Sequence, residues 1–400
     1  MARRSATPAI EVDASQLPPL GMPADVFLRD YWQKKPLLIR NAFPGFVSPI
    51  APEDLAGLAC EDGVLARLIQ HDRASDAWTV RHGPFAEDEL PAMPDHDWTL
   101  LVQDVDKWDA DVRALLDAFA FLPRWRIDDV MVSFAATGGS VGAHVDQYDV
   151  FLLQAHGHRR WQLDAGANAP TACRDDVELK LLREFAPSHE WVLGPGDMLY
   201  LPPGVPHHGV AEDACLTLSV GMRAPSAAEL LGDFVDALAA DAPEDLRLRD
   251  PDLAPAADPF QIDAAAMTRV VDALNLLRMR DPDALGDWFG SFITTYRSAV
   301  EPAAEDDPRP RIEVEWDLAH GALLQRHPWS RMAWRKATKA ARLYAGGRVI
   351  ALPERDARRL AAAESVDGAL YDALSQAGRD AVCDLLAAGH YRLWTEDADE

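Results

Sequence analysis

Cysteine is scarce. The 400 residues hold four, Cys60, Cys173, Cys215 and Cys383, far apart and without the paired spacing that grips zinc or forms a redox dithiol. A disulfide framework is therefore excluded, and reduced structural thiols are expected. No apolar run approaches the roughly 18 residues that a membrane helix needs, so a helical membrane span is not expected. The opening MARRSATPAIEVDAS has two arginines but neither an apolar core nor a small-residue cleavage pattern, which points to a cytoplasmic location. Basic residues are also outnumbered. With 39 Lys+Arg against 65 Asp+Glu the net charge is −26, a balance that repels nucleic-acid phosphates and draws in a basic protein or peptide. What is plentiful is apolar: 48% of the chain is hydrophobic, and its length suits two or three domains, each able to bury a core.

The pattern changes near Ala224. Before it, short β-rich runs such as MVSFAA, YDVFLLQ, RRWQL and DMLYLPP alternate with glycine, proline and charged turns, as in antiparallel barrels and sandwiches. After it, SAAELLGDFVDALAA sets Leu230, Leu231, Phe234, Val235 and Leu238 at helical spacing behind a Ser226/Glu229 capping box. A second helix is predicted from Asp263 through DAAAMTRVVDALNLLRMR. Proline- and aspartate-rich stretches, DAPEDLRLRDPDLAPAADP and EPAAEDDPRP, read as linkers or exposed loops. The reading is α+β: a β-rich domain over residues 1–225, a helical region over 226–300 and a small tail domain over 301–400. In the tail, RIEVEWD is predicted as a strand, SRMAWRKATKAARLYAGG as a helix and GRVIALP as a strand, the make-up of a small winged helix. The basic segment from Arg331 to Arg342 is balanced by Glu313, Glu315 and the closing TEDADE, so protein contact is expected there rather than nucleic acid.

Chemistry concentrates in two segments. In GAHVDQYDVF, His144 and Asp146 lie two apart, and on a β-strand residues two apart project to one face. Some sixty residues later LGPGDMLYLPPGVPHHGV ends a strand and a proline turn on His207 and His208, which face opposite ways, so one of the two can join the pair. Two imidazoles and a carboxylate on one side of a metal leave adjacent positions open, the arrangement of non-haem Fe(II) oxygenases, whereas zinc favours a closed tetrahedron. His156 and His158 have the same spacing but flank Gly157 between two strands, and are expected in an exposed hairpin turn. On the next strand Arg159, Trp161 and Leu163 alternate with Arg160, Gln162 and Asp164, which carries Arg159 inward. A buried guanidinium needs an anion, either a protein carboxylate or the distal carboxylate of 2-oxoglutarate.

YWQKKPLLIRNAF, the H-x-D of GAHVDQYDVFLLQ, Arg159 fifteen positions after His144, and GDMLYLPPGVPHHG followed by LSVGMRAP resemble the JmjC-type, cupin-fold 2-oxoglutarate oxygenases. The likeness is to their ribosomal oxygenase branch, and within it to the bacterial arginine hydroxylases of large-subunit ribosomal protein sixteen. It runs clearly from about Pro18 to Pro225, and the later helices and tail are similar in arrangement. The resemblance implies a double-stranded β-helix (jelly roll) followed by a dimerisation region and a winged helix. It implies Fe(II) held by His144, Asp146 and His207, with 2-oxoglutarate anchored by Arg159 and O2 as oxidant. Ser133 and Thr217 are implied as secondary cosubstrate contacts, Thr217 standing where asparagine is the family's residue. It further implies a homodimer acting on a ribosomal protein. Asp149 and Asp128, close to the motif, are expected to grip a substrate guanidinium. Two other readings fit the same residues: hydroxylation of histidine or asparagine or demethylation of lysine on another protein, and a non-catalytic metal-binding cupin regulator.

Overall fold

The computed structural model describes residues 10–240, 242–251, 253, 255, 260–275 and 282–394. The chain divides into two compact units, Met1–Ala224 and Pro225–Glu400. Among the described residues no helix is long and apolar enough to cross a membrane.

The first unit is built on twelve strands: β1 (Glu11–Asp13), β2 (Leu37–Arg40), β3 (Ala66–Asp72), β4 (Ala77–His82), β5 (Trp98–Val102), β6 (Ile127–Ala135), β7 (Val150–His156), β8 (Arg159–Leu163), β9 (His189–Leu193), β10 (Met198–Leu201), β11 (His207–Ala211) and β12 (Cys215–Met222). Nine form one sheet in the order β1-β2-β10-β7-β12-β6-β5-β3-β4, and three form a second in the order β11-β8-β9. Leu38, Val150, Leu152, Leu199 and Leu201 of the large sheet pack with Trp161, Leu163 and Leu193 of the small one, so the inner faces enclose an apolar barrel. The outer face of the large sheet carries the main core, including Phe27, Phe119, Phe151 and Tyr200, beneath short helices α1 (Ala24–Asp30), α2 (Pro52–Leu58), α3 (Val105–Trp108) and α4 (Ala110–Ala114). This is the double-stranded β-helix that the sequence implies.

Two local expectations are corrected. β7 and β8 do not form a hairpin: β7 pairs with β10 and β12, whereas β8 pairs with β9 and β11. The chain crosses from one sheet to the other at Gly157, whose φ of 61° and close approach to the Ala214 carbonyl leave no room for a side chain. The crossing is exposed as expected, and His158 pairs there with Asp213 at 2.8 Å. His144 also lies outside any regular strand, joined to His207 by a single antiparallel bridge.

The second unit begins with α5 (Ala227–Ala240), opened by the expected capping box: Ser226 N–H donates to Glu229 at 2.7 Å, and Glu229 N–H to Ser226 Oγ at 3.1 Å. Helix α6 (Ala264–Leu274) starts on the Asp263 cap, and its expected continuation over 276–280 lies outside the described residues. Helix α7 (Pro282–Thr295) follows, then α8 (Arg311–Ala319), β13 (Leu323–Arg326), β14 (Met332–Arg335), β15 (Ala341–Ala345), β16 (Arg348–Leu352), α9 (Glu354–Ala362), β17 (Ser365–Val366), α10 (Gly368–Asp372), α11 (Gln376–Ala387) and β18 (Tyr391–Trp394). RIEVEWD is thus helical rather than extended. Its apolar residues alternate, but Val314 and Leu318, one turn apart, are the ones buried, while Ile312 and Trp316 face water. SRMAWRKATKAARLYAGG is two antiparallel strands rather than a helix. Leu343 pairs with Trp334 and Ile350, and burial of Met332, Leu343 and Ala345 outweighs the helical preference of the lysine- and alanine-rich connection.

Candidate metal and cosubstrate site

His144, Asp146 and His207 converge at the barrel, each offering a ligand atom within 4.8 Å of the others. His144 Nε2 lies 3.8 Å and His207 Nε2 3.6 Å from Asp146 Oδ2. Those separations are long for hydrogen bonds and suit three ligands of one ion. The outer ring nitrogens fix the tautomers. His144 Nδ1 is 3.0 Å from the Gly142 carbonyl and His207 Nδ1 2.9 Å from that of Val205, so each Nδ1–H donates and each Nε2 lone pair is directed inward. Reciprocal 3.0 Å backbone bonds between His144 and His207 hold the loop to β11. His207 is 2% exposed, and burial together with neighbouring His144 holds it neutral, the form that binds metal. His144 and Asp146 are half-buried on the open side. Two imidazoles and one carboxylate, with both outer nitrogens braced, fit a ferrous ion.

His208 turns away from the triad, as strand parity requires. Its Nε2 lies 3.0 Å from Ser140 Oγ, and Ser140 donates to the Gly209 carbonyl at 2.7 Å.

Arg159 points into the barrel, 3% exposed, while Arg160 and Gln162 pair outward with Glu190. Its guanidinium lies 5.1 Å over the Trp161 ring. It donates to Ser133 Oγ at 3.3 Å and to the Gly209 carbonyl at 3.5 Å, and its Nε, though buried, has no partner. Among the described residues no carboxylate pairs with it. Burial pulls its pKa below the ordinary value, with only Cys215 opposing. An enclosed guanidinium without an anion is the signature of a site completed by an anionic ligand. The sequence left a protein salt bridge open as the alternative, and among the described residues no carboxylate makes one.

Ser133 thus joins Arg159, on β6 opposite Thr217 of β12. The Thr217 hydroxyl donates instead to Gln154 Oε1 at 3.1 Å and makes no bond to Arg159.

The two acids expected at the mouth are otherwise engaged. Asp149 is fully buried, accepting from Tyr200 Oη at 2.7 Å, Gln33 Nε2 at 2.9 Å and Arg126 Nη2 at 3.4 Å. Asp128 pairs with Arg223 at 3.1 Å. The acid that sequence reading missed is Asp129, which shares the inward parity of Met131 and Ser133. Burial, reinforced by Asp104, Asp128 and Asp106, pushes its carboxyl up to about 7. It accepts from Asp104 N–H at 3.1 Å and, among the described residues, meets no cation. Burial, with the charges of Asp146 and Asp129, raises the pKa of the Tyr148 hydroxyl.

Comparison with known proteins agrees with this geometry. The model of the JmjC domain matches residues 114–230, and that of the ROXA-like winged helix matches residues 277–392. The ribosomal protein uL16 3-hydroxylase of Escherichia coli is 37% identical over 300 residues, covering 75% of this chain and 79% of that protein. A probable ribosomal oxygenase of Haemophilus influenzae is 42% identical over 208 residues, covering 52% and 51%. The structure of YcfD, a ribosomal oxygenase from Escherichia coli, in complex with cobalt and 2-oxoglutarate superposes with a TM-score of 0.81 at 33% identity, spanning 94% of this chain and 99% of that one. Matched along nearly its whole length, and carrying a braced His-Asp-His triad and, in the same barrel, a buried arginine whose Nε has no partner, the chain belongs to the JmjC-domain ribosomal oxygenase family.

Proposed function

We propose that this protein hydroxylates an arginine side chain of a large-subunit ribosomal protein, uL16 being the substrate named for its Escherichia coli relative. The chemistry is that of the 2-oxoglutarate- and Fe(II)-dependent oxygenases: one O2 is consumed, 2-oxoglutarate becomes succinate and CO2, and one oxygen enters a substrate C–H bond. The observation that carries this reading is the buried Arg159 guanidinium, which meets no carboxylate among the described residues and whose Nε has no partner, in the same barrel as the triad.

His144, Asp146 and His207 would hold the iron, which supplies the oxidising chemistry when bound. Arg159 would bind the distal carboxylate of 2-oxoglutarate through its fork of N–H donors, with Ser133 orienting it and Thr217, bonded to Gln154, fixing the strand behind. The apolar barrel wall keeps water from the reacting atoms. Asp129 would receive the substrate guanidinium, a cation that relieves the cost of holding a carboxylate there. The charge of −26 suits a basic ribosomal protein.

The experiment is incubation of uL16 with the protein, Fe(II), ascorbate, 2-oxoglutarate and O2, with tandem mass spectrometry of the product. A gain of one oxygen on an arginine supports the reading, and oxygen on another residue type or none contradicts it. Asp129→Asn is expected to raise the substrate KM about 10–100-fold, the worth of roughly 1.5–3 kcal/mol for a charged hydrogen bond. The KM for 2-oxoglutarate should be unchanged in the same variant, and steady-state kinetics with each substrate varied checks both.

The chain is further proposed to act as a homodimer. Leu231 and Val235 on α5 and Met267, Val271 and Leu274 on α6 are exposed, and neither helix contributes a buried residue. Sedimentation at micromolar concentration should give twice the chain mass, and Leu231→Glu with Val271→Glu should give the monomer.

A further inference from the structure

Gly209 sits on β11 midway between two functional positions. His207 lies two residues before it on the same face. Two residues after it, Ala211 is in register with Arg159 across the small sheet. At about 3.3 Å per residue, each step of two is roughly 6.6 Å of strand. Arg159 starts level with residue 211 yet donates to the carbonyl of residue 209, so its side chain leans back along β11 toward the His207 end. Gly209 is where it leans. A Cβ built there would lie 2.8 Å from Arg159 Nε and 2.8 Å from Trp161 Cη2 and Cζ3. The Gly209 backbone is not left-handed, so the position calls for space and not for an unusual φ. Trp161, buried and paired in register with Gly209, cannot retreat without disturbing the barrel wall.

We infer that Gly209 is a positioning residue that determines cosubstrate specificity, setting how far the Arg159 guanidinium reaches toward the metal ligands and so matching the barrel to a five-carbon 2-oxo diacid. This rests on the proposed binding of 2-oxoglutarate by Arg159. In Gly209→Ala the methyl occupies the path of the lean and keeps the guanidinium back at the level of residue 211. The distal carboxylate of 2-oxoglutarate then falls short of it, whereas a diacid longer by one methylene still reaches.

The test is calorimetry of the full chain loaded with Mn(II), titrated with 2-oxoglutarate and with 2-oxoadipate, which reads binding without turnover. Gly209→Ala should bind 2-oxoglutarate at least about tenfold more weakly, shift the 2-oxoadipate to 2-oxoglutarate affinity ratio by about 10–200-fold toward the longer diacid, and bind Mn(II) as the wild type does. In turnover the KM for 2-oxoglutarate should rise while that for the protein substrate stays. Equal affinities of Gly209→Ala and wild type for 2-oxoglutarate, or an unchanged diacid ratio in a variant that still binds Mn(II), would overturn the inference. A wild-type protein with no metal-dependent binding of 2-oxoglutarate would instead remove the reading beneath it.

Discussion

His207→Ala abolishes both stoichiometric binding of a divalent metal and all conversion of 2-oxoglutarate to succinate, leaving a folded protein. The loss is expected to be complete because His207 is the buried member of the triad, its ring held by the Val205 carbonyl so that Nε2 can do nothing but accept a ligand. Alanine there removes a donor that no neighbour replaces: His208, next in sequence, faces Ser140. His144→Ala and Asp146→Ala should match it in succinate formation. The readouts are metal content after dialysis and succinate released with Fe(II) and ascorbate. Wild-type turnover by any of the three would show that the cluster is structural. The same assay separates an oxygenase from a cupin that merely binds metal.

Arg159→Ala leaves metal binding intact and removes the affinity for 2-oxoglutarate. Removing one partner of a buried, charge-assisted pair costs about 2–5 kcal/mol, roughly 30-fold to several thousand-fold in affinity. The expected signature is a KM for 2-oxoglutarate raised by that factor, with the substrate KM little changed. The variant should also be at least as stable as the wild type without cosubstrate, because the guanidinium is enclosed with a partnerless Nε and, among the described residues, no carboxylate beside it. A thermal melt with and without Mn(II) and 2-oxoglutarate checks this: the wild type gains stability from the pair by mass action, and Arg159→Ala does not.

Much of this site is legible in the chain because strands write their faces with a period of two. On β8 that parity alone carries Arg159 and Trp161 inward, and on β11 it separates His207 from His208. The same parity was available on β6, where counting back from Ser133 reaches Met131 and Asp129. Nearness in sequence pointed to Asp128 instead, a residue on the outer face that answers Arg223. Asp149 misleads in the same way, because its role depends on Tyr200 and Gln33, remote in sequence. Gly209 gives no sign at all: its meaning lies in two side chains of the neighbouring strand. In the tail, alternation in RIEVEWD and helix-forming residues in SRMAWRKATKAARLYAGG both point the wrong way, since packing around Leu318, Leu343 and Tyr371 selects the opposite structures. Spacing within one strand survives translation into structure, and contacts across strands do not announce themselves.

The central claim is that the triad and Arg159 form one metal and cosubstrate centre. Anaerobic addition of Fe(II) and 2-oxoglutarate, followed by visible absorption, tests it most directly, since a metal-to-ligand charge-transfer band arises only when the keto acid chelates the iron. The account predicts a band that saturates at one 2-oxoglutarate per chain, is absent in His207→Ala, and needs far more 2-oxoglutarate in Arg159→Ala. A wild-type protein that gives no band, or an Arg159→Ala variant that titrates like the wild type, would contradict it.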